Sequence, residues 1–323
     1  MKYVSIPLTN RRRPSFFLAM EEYMARHTDE PDCFFMWQVE PSVVFGRNQL
    51  IANEVNQDYC RREGIGLYRR KSGGGCIYAD MGNVMLSYIT TGKNVGFTFN
   101  RYINMVVLAL RQLSIEARAT GRNDIMIGEG KVSGSAFYQL KGRSIVHGTM
   151  LYDTDMERMV RAITPSGEKL ASKGVESVRQ RIALLKDHTD IGIEAFKQHL
   201  RQLLCGDREL VLNEADMAAI EKMETEYLSD AFVYGHNPRY TVVRRQRIEG
   251  VGEMEAHMEL KNGVIADINL LGDFFITGDL DGLLEKIRGV ALERQALQAA
   301  LPTRIDHVIV HMEKDQFINL LLL

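Results

Sequence analysis

Arg69-Arg70-Lys71-Ser72-Gly73-Gly74-Gly75 packs three cations and three glycines into seven residues. Consecutive glycines let backbone N–H groups converge on an anion with no Cβ in the way. The cations ahead of them add attraction, and a guanidinium can hold a phosphate or carboxylate through two parallel hydrogen bonds. A flexible hairpin loop with solvated charges is the structural alternative for a bare glycine run; the attached cations favour anion binding. The loop follows neither common nucleotide scheme, because GxxxxGK[ST] is absent and no GxGxxG opens a helix.

Two further stretches carry chemical potential. In Gly121-Arg122-Asn123-Asp124, the last two residues offer hard oxygen ligands suited to a Mg²⁺ that keeps phosphate and water in its shell. Lys131 follows in Gly130-Lys131-Val132-Ser133-Gly134-Ser135-Ala136, where small neighbours let a ligand approach the backbone. A lysine so placed can neutralise an anionic transition state as a point charge, or it can simply be an exposed strand-end cation. The third stretch, residues 144–151, alternates apolar residues around His147, which reads either as a hydrogen-bonded core histidine or as part of a substrate pocket. No HExxH or neighbouring His/Cys pair makes it a zinc ligand.

The elements that must position these residues are legible in the pattern. Residues 15–24 read as an amphipathic helix with Ser15 as N-cap and Phe16, Met20 and Met24 at four-residue spacing. Apolar runs 33–39 and 42–45, divided by Glu40-Pro41, suggest a hairpin or adjacent sheet strands, and 53–63 suggests a helix. Strands are expected at 66–70, 76–78 and 84–90, then a helix over 99–113. Strands at 124–127, 132–138 and 144–152 follow, the last two joined by a Lys141-Gly142 turn. Residues 155–227 are mainly helical in pattern. Beyond Tyr234-Gly235-His236-Asn237-Pro238 an antiparallel meander is expected over 240–248, 254–260 and 264–270, with an Asn-Gly turn at Asn262-Gly263. The domain boundary falls near 240, giving a catalytic domain at 1–240 and a small accessory domain at 241–323. Hairpin signals without regular βαβ alternation favour an α+β catalytic domain on a mixed, mostly antiparallel sheet, followed by a small α+β domain.

Composition narrows the class. At 323 residues, 45% apolar and 25% charged, the chain fits globular averages, and a formal charge of -2 argues against nucleic-acid binding through bulk positive charge. No apolar run reaches the roughly 20 residues of a membrane span, and no signal peptide is evident. Cys33, Cys60, Cys76 and Cys205 lie far apart without a CxxC pair, as expected of free thiols in the cytoplasm.

Taken together and in order, RRKSGGGCIYADMGN, GRNDIMIGEGKVSGSA and HGTMLYD closely resemble the lipoate–protein ligase A family, within the biotin/lipoate ligase fold group. The stretch from Lys169 to Arg181 and the Tyr234-to-Pro238 signature resemble it as well, so the likeness covers essentially the whole chain. It implies a ligase that uses ATP and Mg²⁺ to activate lipoate, or octanoate, as an acyl-adenylate and then transfers the acyl group to a lysine. It further implies that Arg70, Gly75, Cys76, Ile77 and Tyr78 bind ATP, with Asn83 and Asp124 beside them and Asp124 toward Mg²⁺. Lys131 would contact both the lipoate carboxylate and the α-phosphate, while Ser72, Gly73, Gly74 and His147 shape the lipoate side. The implied acceptors are lipoyl domains of 2-oxoacid dehydrogenase E2 subunits and the glycine cleavage H protein. A basic rim with Arg179 and Arg181 would steer such acidic partners, or form a solvated helix face.

The chain departs from the family pattern GGGAVxHD, having Cys76 and Ala79 where Ala and His are common. Cys76 thereby raises a rival within the fold group, an octanoyltransferase forming a cysteine thioester, which would need an activated thiolate near a base. A biotin ligase lacks support because a GRGRxG-type loop is absent. A catalytically silent lipoyl-binding protein is the alternative from another class.

Overall fold

The computed structural model describes residues 1–7, 11–49, 51–92, 95–120, 123–163, 181–234 and 242–323. Gly121, Arg122, Lys169 to Gln180 and Gly235 to Pro238 lie outside them.

Eight strands form the main sheet, in the order β11-β1-β2-β6-β10-β9-β8-β7. They are β1 (Lys2–Ser5), β2 (Asp32–Trp37), β6 (Asn83–Thr90), β7 (Ala117–Ala119), β8 (Asp124–Ile127), β9 (Gly130–Leu140), β10 (Arg143–Leu151) and β11 (Glu209–Val211). Among the named strands of this sheet in the described residues, β1 pairs in parallel with β2 and β11 and the other pairings are antiparallel, as the hairpin signals led us to expect. Helices cover both faces. The helices Val95–Gln112 and Ile193–Cys205 pack on one side through Tyr102, Val106, Phe196 and Leu200. The helices Pro14–His27 and Glu214–Leu228 pack on the other through Phe16, Met20, Ile220 and Tyr227. A second sheet, β4-β3-β5, comprises β4 (Gly66–Arg69), β3 (Ser42–Phe45) and β5 (Ile77–Ala79), and the glycine run forms the connection from β4 to β5.

The C-terminal segment is the expected meander of β12 (Val242–Ile248), β13 (Gly252–Lys261) and β14 (Val264–Gly272), followed by short helices. It encloses a core of its own around Met254, Ile268, Phe274 and Phe317. Both anticipated turns have their central pair at positive φ, Lys141 (49°) with Gly142 (79°) and Asn262 (53°) with Gly263 (77°), as I′ hairpin turns require.

Several local expectations give way to competing physics. The first helix starts at Pro14, whose fixed φ suits the first helical position, so Arg13 and not Ser15 stands at the N-cap. The Ser15 hydroxyl instead donates to Glu224 at 2.5 Å. Strands β2 and β3 lie in different sheets because Glu40-Pro41 redirects the chain between them. The helix read at 53–63 is two short helices, Ile51–Glu54 and Gln57–Arg62, and the Asn56 side chain caps the second through the Tyr59 N–H at 3.0 Å. Edge strands β7 and β11, three residues each, were too short to give a periodic signal.

Candidate active site

The glycine connection, the start of β9 and the middle of β10 face one another across a cavity of about 110 Å³. Arg70, Gly74, Gly75, Cys76 and Ile77 line one wall; Asn123, Lys131, Gly134, Ser135 and His147 line the other. Leu18, Trp37, Val44 and Met85 make one end apolar. Two cavities of about 600 and 720 Å³ lie elsewhere, but neither joins the glycine run to Lys131.

Of the three cations ahead of the glycines, only Arg70 reaches this cavity. Arg69 is buried, donating to the carbonyls of Val233, Arg47 and Gln49, with its guanidinium 4.6 Å from the Phe45 ring centre. Lys71 is paired with Glu22 at 2.7 Å and Glu226 at 3.0 Å. Both were expected to add attraction for an anion; instead they fasten the loop to its surroundings. Arg70 is itself 5% exposed and donates to the carbonyls of Val44 (3.0 Å), Gly73 (2.8 Å) and Gly75 (2.6 Å). It therefore holds the loop by drawing carbonyls inward. Burial lowers its pKa to about 10, so it remains a cation at neutral pH.

Gly73 and Gly74 are glycines for a reason the sequence does not disclose. The Gly74 N–H donates to the Phe274 carbonyl of the C-terminal segment at 3.2 Å. A Cβ on Gly73 would collide with that same oxygen, and one on Gly74 (φ 86°) would lie 3.2 Å from the Phe275 ring. Phe275 lines the cavity and stacks on Phe137, with ring centres 6.1 Å apart. The glycine run is thus also the seat of a loop 200 residues further on. On the Gly75 side a Cβ would meet nothing within 4 Å.

Lys131 places its ammonium 2.7 Å from Asp124 Oδ1, and the Lys131 side chain is 39% exposed. A Cβ on Gly134 would sit 2.9 Å from that Nζ, so the glycine makes room for the lysine. The Lys131 backbone is held on both sides, its N–H donating to the Arg181 carbonyl and its carbonyl accepting from Ala183. His147 is a buried hydrogen-bonded histidine and a cavity wall at once, with Ser72 Oγ 2.7 Å from Nε2 and Glu21 2.8 Å from Nδ1.

Other expected residues stand back. Tyr78 is 1% exposed and packs its ring into the core around Val43 and Phe45. Asn83 is fully buried and donates to the Tyr78 carbonyl at 3.3 Å, fixing the end of β5. Neither lines the cavity: Tyr78 alternates on β5 with Ile77, which does, and Asn83 stands at the first position of β6, turned to the Tyr78 carbonyl. Cys76 does line it, but burial pushes its thiol well above the ordinary range, and the nearby Arg70 charge does not offset this. The thioester rival needs an activated thiolate, and a thiol shifted in this direction counts against it. Among the described residues no three His, Cys, Asp or Glu side chains are grouped to hold a metal ion, and no helix is long and apolar enough to cross a membrane.

Sequence reading missed Glu21, Trp37 and Phe275. Glu21 carried a signal, an acid within the apolar run of the first helix; Phe275 carried none.

A sheet covered by helices, with a glycine loop opposite a lysine on its antiparallel hairpin, is the architecture of the biotin/lipoate ligase fold. The chain belongs to the lipoyl protein ligase A/B family: the family's catalytic domain matches residues 13–204, and the bacterial lipoate protein ligase C-terminus matches 237–321. The lipoate-protein ligase LplJ of Bacillus subtilis is 33% identical over 97% of this chain and 98% of its own length. Among solved structures, P. falciparum LipL1 in complex with lipoate aligns at TM-score 0.80 and 21% identity, covering 100% of this chain and 99% of its own. A lipoate-protein ligase A bound with ATP aligns at TM-score 0.63 and 25% identity, covering 73% of this chain and 99% of its own.

Proposed function

We propose that the chain is an ATP-dependent lipoate–protein ligase that makes and then spends an acyl-adenylate. The supporting observation is one cavity with an apolar end at Leu18, Trp37 and Met85 and a cationic end at Lys131. That polarity suits a carboxylic acid with an apolar tail, such as lipoate or octanoate.

A carboxylate oxygen of the acid attacks the α-phosphorus of ATP, and the bond to pyrophosphate breaks. Two anions must approach, and the Lys131 ammonium between them offsets their repulsion. Arg70 holds the loop whose open side, at Gly75, admits the nucleotide. In the second step an acceptor lysine amine attacks the acyl carbon, AMP leaves, and the amine gives up a proton. Mg²⁺ would arrive with the phosphates, and the half-buried Asp124 carboxylate, 2.7 Å from Lys131, offers it a hard oxygen. Asp124, beside Asn123, would hold it, and the ion would supply charge neutralisation to the phosphates.

We assign residues 1–240 to the catalytic unit and 241–323 to the accessory unit, with lipoyl domains of 2-oxoacid dehydrogenase E2 subunits and the glycine cleavage H protein as acceptors. Four free cysteines support a cytoplasmic setting.

The experiment is ATP–pyrophosphate exchange with lipoate, octanoate and biotin, followed by transfer to an apo lipoyl domain. Exchange with lipoate or octanoate and not with biotin, then acylation of the acceptor, is expected. Acylation without ATP, or exchange with biotin alone, contradicts the assignment.

A further inference from the structure

Behind the cavity a continuous chain of buried polar groups joins Trp37 to Arg70, and its middle members, Ser87, Glu21, His147 and Ser72, are not used by the mechanism above. It centres on Glu21, which is 0% exposed in the middle of the first helix. Its Oε1 accepts from the Ser87 hydroxyl at 2.6 Å, and Ser87 Oγ accepts from the Trp37 indole N–H at 2.9 Å. Its Oε2 lies 2.8 Å from His147 Nδ1. His147 Nε2 lies 2.7 Å from Ser72 Oγ, which in turn accepts from Arg70 Nε at 3.0 Å. Ser72 and Ser87 are both fully buried.

Counting hydrogens fixes the direction of every bond. A carboxylate only accepts, so His147 must donate from Nδ1. A neutral ring then accepts at Nε2, which receives the Ser72 hydroxyl hydrogen and leaves Ser72 Oγ free to accept from Arg70. Protonating Nε2 would make it a second donor to Ser72, and the hydroxyl hydrogen of Ser72, which is 0% exposed, would lose its acceptor. The chain closes with no orphan donor only when all bonds run toward Glu21.

Each oxygen of this carboxylate therefore governs one end of the cavity. One reaches Trp37 at the apolar end; the other reaches Arg70, which holds the glycine loop. We propose that Glu21 is a positioning residue for adenylation, setting the His147 tautomer and, through Ser72, the seat of Arg70. The proposal rests on the ligase reading for its kinetic consequence, though not for its structural one.

Glu21→Gln tests it, because it keeps the shape and presents an amide that can donate where only acceptors fit. Losing such an outer partner costs about 10–100-fold in activity. We expect that loss in kcat for lipoate-dependent exchange, with KM for lipoate little changed. Ser72→Ala should lose a similar amount, and the Glu21→Gln, Ser72→Ala double variant should be no worse than Ser72→Ala alone, because the two act in series. Losses that multiply, or Glu21→Gln with parental kcat, would overturn the proposal. The tautomer provides a reading that needs no variant. Nitrogen NMR of the full-length parent protein should show His147 protonated at Nδ1 and not at Nε2; the opposite tautomer, or a doubly protonated ring at neutral pH, overturns the proposal. A parent protein without exchange activity would count against the ligase reading, and the tautomer would still decide the relay.

Discussion

Arg70 and Cys76 show how burial decides what a residue can do. Arg70 is not a surface cation awaiting phosphate; with three loop and strand carbonyls on its guanidinium it is an organiser of backbone. Cys76 shares the cavity wall half-buried, and desolvation there raises its thiol pKa and disfavours the thiolate. Cys76→Ala should therefore retain lipoate-dependent exchange and transfer within a few-fold of the parent, at a stability cost of about 1 kcal/mol. Intact-mass analysis after incubation with acyl donor checks this; an acyl-thioester at Cys76 would contradict it. The residue types of the site were legible because anion chemistry restricts them to glycines and cations. Their division of labour was not. Arg69, Arg70 and Lys71 are equivalent in sequence, and only the fold turns Arg70 toward the cavity while Glu22 and Glu226 take Lys71.

At the scale of elements, the glycine connection between β4 and β5 has two masters. Its open side at Gly75 leaves room for a ligand, and its Cβ-free side at Gly73 and Gly74 seats Phe274 and Phe275. Phe275→Ala removes the stack on Phe137 and one wall of the cavity. We expect it to destabilise the protein by up to about 3–5 kcal/mol and to release AMP severalfold faster when no acceptor is present, since water then reaches the adenylate. Acceptor-independent AMP release equal to that of the parent would show that Phe275 only packs. Hairpins were readable from Lys141-Gly142 and Asn262-Gly263 because the turn chemistry is local. The contact between residues 73–74 and 274–275 was not, since nothing in either sequence refers to the other.

At the scale of the molecule, a mixed sheet covered on both faces fixes the start of β9 opposite the loop after β4, and Phe275 of the C-terminal segment adds to the cavity's lining between them. The change of pattern near residue 240 led us to expect the β12-β13-β14 meander that follows it. The helices and antiparallel order were expected as well, because periodicity and hairpin turns encode them directly. That Phe275 packs into the core of the catalytic unit, beside Phe99 and Phe137, was not foreseeable, since it follows from docking and not from local sequence.

The claim that joins these scales is that the Lys131 ammonium lies where carboxylate and α-phosphate meet. Lys131→Met keeps most of the side-chain volume and removes the charge, leaving Asp124 without its 2.7 Å ionic partner. The measurement is the rate of lipoate-dependent ATP–pyrophosphate exchange, with the thermal midpoint recorded alongside. A preorganised charge at such a point contributes about 3–4 kcal/mol, so the rate should fall roughly 10²–10³-fold with the midpoint almost unchanged, and Lys131→Arg should recover little of it. Exchange within about threefold of the parent for Lys131→Met, far short of the loss expected from such a charge, would contradict the account.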